Sequence, residues 1–108
     1  MSMPSTRIAS AKNTSSHVCP IAKVANLLSD SWTMLIIRDL LDGPRRFCEL
    51  ERSLDGISSR TLTLKLKKLV KEHVATKDDA SHLYSITDQG KNLGEVIDAM
   101  HHYGKKWL

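Results

Sequence analysis

The apolar positions of the chain change their spacing several times, and each change predicts an element. From Pro20 onward Ile21, Val24, Ala25 and Leu28 recur at helical spacing, and Pro20 suits a first turn, where its missing N–H costs nothing. A second helix carries Trp32, Leu35, Ile36 and Leu40 on one face, with Asp30 or Ser31 as its cap, and stops at Asp42-Gly43-Pro44. Phe47, Leu50 and Leu54 stand at i, i+3 and i+7, which predicts a third helix of about two turns ending at Asp55-Gly56. Ser58 then offers a capping hydroxyl to a fourth helix. This helix places Leu62, Leu66, Leu69 and Val70 on one side and turns Arg60, Thr61, Leu64, Lys65 and Lys68 outward. Residues 74–87 alternate weakly around Asp78-Asp79-Ala80-Ser81, which predicts a hairpin of two short strands. Last, Leu93, Val96, Ile97, Met100, Tyr103 and Trp107 hold helical period in a terminal helix over about 88–107. A core of five short elements cannot cover so long a stripe, so a partner subunit is expected to cover it, the alternative being a helix folded back on its own core.

The expected fold class is therefore mainly α with a small β-hairpin. Two helices joined by a tight Asp-Gly-Ile turn, with a hairpin beside them, have the geometry of a winged helix-turn-helix, whose second helix enters the major groove of DNA. Charge sharpens this picture. The chain of 108 residues carries net charge +4, and residues 45–71 hold eight bases against three acids, so the rest of the chain is slightly acidic. A basic segment in a near-neutral domain suits a polyanion, because each neutralised phosphate releases condensed counterions; a solvated helix face is the plainer reading of the same charges.

The remaining composition mainly excludes. With 5 Gly and no Gly-rich loop, cofactor-dependent and nucleoside-triphosphate chemistry is not expected, and no cofactor is assigned. The longest apolar run is Met34-Leu35-Ile36-Ile37, far short of a membrane span, so no membrane partner is expected. The opening MSMPSTRIASAKNTSSH lacks the apolar centre of a secretory signal, which points to the cytoplasm. Its seven Ser and Thr make residues 1–17 a flexible arm, followed by one domain over 18–108. Adjacent His101 and His102 diverge by about 100° on a helix, and Cys19 and Cys48 form no CxxC, so no metal site is assigned.

Cys19 precedes Pro20 and so falls at the N-cap of the first helix, where the positive end of the helix dipole favours a thiolate, with His17 two residues away. Either a reactive thiol or an inert, buried one fits that position. Cys48, beside Phe47, reads as ordinary packing, with a role as intersubunit partner of Cys19 as the alternative. A thiol enzyme built on Cys19 ranks last, because His17 is its only nearby base and no third group orients it.

Taken together, Cys19-Pro20, WTMLIIRDLLDG, GPRRFCEL, GISSRTLTLKLKKL and YSITDQG resemble the HxlR-type winged helix-turn-helix transcriptional regulators, relatives of the MarR group, over about residues 18–107. The resemblance implies a homodimer on a pseudo-palindromic double-stranded operator, with the terminal helices joining the subunits. It also implies that a cysteine at position 19 responds to oxidants, quinones or aldehydes. Ser58, Ser59, Arg60, Thr61 and Lys65 are then the groove-facing set, Arg60 being suited to clasp guanine O6 and N7. A surface Arg beside Asp55 is its plainer reading. Arg45, Arg46 and Lys68 are candidate phosphate clamps, and Lys77 and His82 candidate wing contacts. Leu64 stands where relatives commonly carry a polar residue such as Gln, so its base contact is apolar, with a thymine methyl, or absent. The hairpin is short and holds Asp78 and Asp79, whereas family wings tend to be longer and more basic. A winged-helix module for protein contact alone is the alternative function.

Overall fold

A computed structural model describes residues 19–108. The expected arm over residues 1–17 lies outside the described residues. The chain divides into two compact units, Met1–Ser31 and Trp32–Leu108.

In the first unit the described residues form helix α1 (Pro20–Leu27). Cys19 is its N-cap in extended backbone conformation, and its Sγ accepts the Ala22 N–H at 3.4 Å, satisfying one donor of the open first turn. Leu28 closes the helix by donating its N–H to the Val24 carbonyl at 2.9 Å.

The second unit runs through α2 (Ser31–Asp42), β1 (Arg45–Arg46), α3 (Phe47–Ser53), α4 (Ser59–Lys71), β2 (Ala75–Lys77), β3 (Leu83–Ile86), α5 (Asp88–Lys91) and α6 (Gly94–Trp107). Its core is aliphatic: Ile36, Ile37 and Leu40 from α2, Leu50 and Leu54 around α3, Leu62, Leu66 and Leu69 from α4, and Val74 and Ala75 entering β2. Asp39 is the charged group in this core, and its carboxylate is well supplied. It accepts the Ser53 hydroxyl at 2.6 Å and Arg38 Nη2 at 2.9 Å, a network that ties α2 to the end of α3.

The helix-turn-helix follows the sequence pattern closely. Leu54, rather than lying within α3, is its C-cap, and Ile57 N–H bonds the Leu54 carbonyl at 3.0 Å. Gly56 takes φ 92°, a left-handed conformation that a side chain would strain, and lets the chain reverse in so few residues. Ser58 then caps α4, its Oγ accepting the Thr61 N–H at 3.0 Å.

Three expectations need correction. The hairpin gains a third strand: β1 pairs antiparallel with β3, Arg45 opposite Tyr84 and Arg46 opposite Leu83, giving sheet order β1-β3-β2. A two-residue strand has no alternation to read, which is why it left no sequence signal. The terminal helix is not continuous over 88–107. Thr87 caps the short α5 through a 2.9 Å bond from Gly90 N–H, and the bonds from Asn92 N–H to Gln89 and Leu93 N–H to Gly90 tighten the chain into a 3₁₀-type turn before α6 begins. Val70, grouped with the buried leucines, is 37% exposed.

Gly90 explains how α5 sits so close to the sheet. A Cβ there would lie 2.4 Å from the Val74 carbonyl oxygen and 2.9 Å from an Ile86 side-chain carbon. Only hydrogen fits.

Candidate nucleic-acid interface

At 100° per residue, Arg60, Leu64, Lys67 and Lys71 fall within about 60° of one another on α4, opposite Leu62, Leu66 and Leu69. All four are exposed and the three leucines buried. Burial of the leucine stripe therefore fixes which way the cationic arc points. Arg60 and Asp55 are both exposed, and no ion pair joins them.

The other members of the expected groove-facing set are placed differently. Thr61, Lys65 and Lys68 are half-buried on the flank of the helix rather than turned fully outward. The Ser58 hydroxyl donates to Thr61 Oγ1 at 3.0 Å within the first turn of α4, and the Ser59 hydroxyl donates to the Glu51 carboxylate, which ties α4 to α3. Lys67 and Lys71 were not singled out from sequence. The signal existed in their spacing from Arg60, i+7 and i+11, which matches the period of the leucine stripe.

Arg45 and Arg46 sit on the sheet edge as well as at the entry to α3. Arg45 Nη1 donates to the Pro44 carbonyl at 3.1 Å, while Arg46 Nη1 reaches the Ser81 carbonyl at 3.2 Å, linking the helix-turn-helix to the hairpin tip. At that tip Asp78 Oδ2 accepts both the Ser81 N–H at 2.8 Å and its hydroxyl at 2.6 Å. These bonds hold the Asp78 carboxyl below its ordinary range, the side-chain bond first, the backbone bond second and nearby His82 adding a smaller pull. Asp78 is thus a turn residue, and its charge is spent on the turn. Lys77 is exposed, with Nζ 5.9 Å from the centre of the Tyr84 ring.

Cys19 and Cys48 are both free thiols. Cys48 was expected to pack; it is instead exposed on α3, with Arg52 Nη2 3.9 Å from its Sγ. Adjacency to the half-buried Phe47 is a poor guide here, because neighbouring positions on a helix diverge by about 100° and Cys48 lies off the stripe of Phe47, Leu50 and Leu54. The His101 and His102 rings are 6.1 Å apart at 73°. On α6, Val96, Met100, Tyr103 and Trp107 are all exposed, the last two at 62% and 65%. Among the described residues no helix is long and apolar enough to cross a membrane.

A helix pair with a buried leucine seam, an outward cationic arc and an adjoining three-stranded wing defines a winged helix-turn-helix protein. The profile of the HxlR-like helix-turn-helix family matches residues 27–108, and the chain belongs to that family. A helix-turn-helix-type transcriptional regulator of Synechocystis is 37% identical over 97 residues, spanning 85% of this chain and 72% of that protein. Among solved structures, quinone-bound YodB of Bacillus subtilis superposes with TM-score 0.75 at 30% identity, covering 82% of this chain and all of that one. A MarR-family transcriptional regulator from Porphyromonas gingivalis superposes with TM-score 0.79 at 29% identity, covering 85% and 95%. The family is one of transcriptional regulators, not of enzymes, which disposes of the thiol-enzyme reading.

Proposed function

We propose that this protein is a sequence-specific DNA-binding transcriptional regulator of the cytoplasm, acting as a homodimer on a pseudo-palindromic operator. The observation that carries this reading is the exposed arc of Arg60, Leu64, Lys67 and Lys71 on the second helix of the helix-turn-helix. In the major groove Arg60 reads a guanine edge and Leu64 meets a thymine methyl, while Lys67, Lys71 and the half-buried Lys65 and Lys68 neutralise backbone phosphate. Arg45, Arg46 and Lys77 extend that track along the sheet edge. Ser58 and Thr61 act mainly by fixing the helix start, where the Ser58 hydroxyl holds the Thr61 N–H, and Ser59 by tying that start to Glu51. The exposed stripe of α6 joins the two subunits and thereby sets the half-site spacing of about one helical turn.

The same dimer is read as responsive to oxidants or electrophiles through Cys19, a reading supported by similarity to YodB in its quinone-bound form. Replacement of the Cys19 S–H proton by a carbon or sulfur substituent leaves Sγ a bulkier and weaker acceptor for the Ala22 N–H. The first turn of α1 then loosens, and the separation of the two recognition helices leaves the one-turn register that operator binding requires.

Fluorescence anisotropy of the reduced protein, with its own upstream intergenic duplex and a scrambled control at two salt concentrations, tests the reading. Tight, salt-sensitive preference for the native duplex supports it; equal weak binding to both favours a protein-docking module that uses the open face of α6. Oxidant or quinone should release the native duplex from the parent but not from Cys19→Ser, and equal release from both sinks the sensor role.

A further inference from the structure

Asp39 is the one charged residue buried among the described residues, in a core otherwise made largely of aliphatic side chains. Both of its carboxylate oxygens are engaged. Oδ1 accepts Arg38 Nε at 3.1 Å and Nη2 at 2.9 Å, and Oδ2 accepts the Ser53 hydroxyl at 2.6 Å. The Arg38 side chain is half-exposed, so the counter-charge comes from the surface, while the Ser53 bond runs across to α3. A carboxylate is a costly way to fill a core, since even a paired charge loses hydration that an aliphatic side chain never had. What it adds is direction. Apolar packing is non-directional and lets a seven-residue helix roll or slide a little, whereas a short hydrogen bond restrains both movements.

The place of that bond in the chain gives it reach. Ser53 is the last residue of α3; Leu54 caps the helix, the Leu54 carbonyl accepts the Ile57 N–H, and Ser58 opens α4. From another face of α3, Glu51 holds the Ser59 hydroxyl. Two hydroxyl–carboxylate bonds thus run in series, from α2 to α3 and from α3 to α4. We infer that Asp39 is a positioning residue for base reading. Through Ser53 it sets the roll of α3 and the turn that follows, and so the angle at which α4 presents Arg60 and Leu64. The consequence for base reading rests on the DNA-binding reading; the angle does not.

Removing the carboxylate strikes the core, so the test removes its partner. Ser53 is exposed and alanine suits a helix, so Ser53→Ala deletes little besides the bond. In the free full-length protein, residual dipolar couplings of backbone N–H groups should show α4 turned from α2 by more than about 10° relative to the parent, the tolerance of a positioned binding group. In anisotropy, preference for the native over the scrambled duplex should fall about tenfold, the scale of one lost bidentate base contact. The salt slope should stay parental, because every cation remains. Ser53→Thr, which keeps the hydroxyl, should restore both the angle and the preference. A purely stabilising bond would lower the unfolding midpoint and move neither. An unchanged angle overturns the proposal; a changed angle with parental preference overturns the base-reading role in favour of a staple on which reading does not depend. A parent protein that shows no preference sinks the DNA-binding reading instead, and the angle alone then decides whether Asp39 positions α4.

Discussion

Helices α4 and α6 are nearly the same length, 13 and 14 residues, and each carries an apolar stripe at helical period. They end in opposite states. On α4 three leucines are buried by the chain itself, and the helix has only its cationic side to offer. On α6 no residue is buried, and Val96, Met100, Tyr103 and Trp107 face outward. The difference shows that amphipathic period predicts a face in need of cover but not who supplies it. For α4 the supplier is the rest of its unit; for α6 the described residues leave the stripe open.

The sharpest test of this contrast is truncation. Leu66→Ala should cost about 2–5 kcal/mol of folding stability by denaturant titration, since it opens a cavity in a closed core, while Met100→Ala should cost under about 1 kcal/mol once the protein is dilute enough to be monomeric. Comparable losses would mean that α6 is packed after all. Next, Met100→Glu should weaken self-association by at least about tenfold in sedimentation velocity while leaving the thermal unfolding of the monomer nearly unchanged, because it puts a charge into the open stripe. A third, smaller effect separates the polar sides: Lys67→Gln should lower the salt slope of DNA affinity by about one unit, and Lys105→Gln on α6 should not. The smallest concerns the hairpin tip. The Asp78 carboxyl is held below its ordinary range, so its contribution is present above about pH 4, where the unfolded group ionises, and is lost as pH falls through the folded value. Hydrogen exchange at Ser81 N–H should therefore quicken only in strong acid, and Asp78→Asn should remove that dependence.

Much of this was legible in the residues. The leucine seam, the Asp55-Gly56 reversal and the Ser58 and Cys19 caps each rest on local chemistry, so the helix-turn-helix and the start of α1 follow from spacing and capping alone. What was not legible depends on neighbours distant in the chain. The partner of Arg46 at the wing, Ser81, is 35 residues away, and the exposure of Cys48 depends on which side of α3 meets α2 and α4. The outward arc of α4 was half read. Arg60 and Leu64 stand out from charge and outward position, whereas Lys67 and Lys71 emerge only when the helical wheel is stepped from the buried leucines, which sets Lys65 and Lys68 on the flank. The break before α6 had no apolar signature, being set by the 3₁₀-type bonds of Asn92 and Leu93.

Gly90 bears on how freely this family member can vary. Every nonsynonymous change at its codon adds at least one carbon where 2.4 Å separates the Cβ position from a backbone oxygen. Backbone cannot rotate out of the way as a side chain does. In a saturation library this codon should be the one that tolerates no replacement, even though it lies in a four-residue helix that supplies no residue to the cationic arc and would escape any screen that ranks positions by charge or by hydrophobicity.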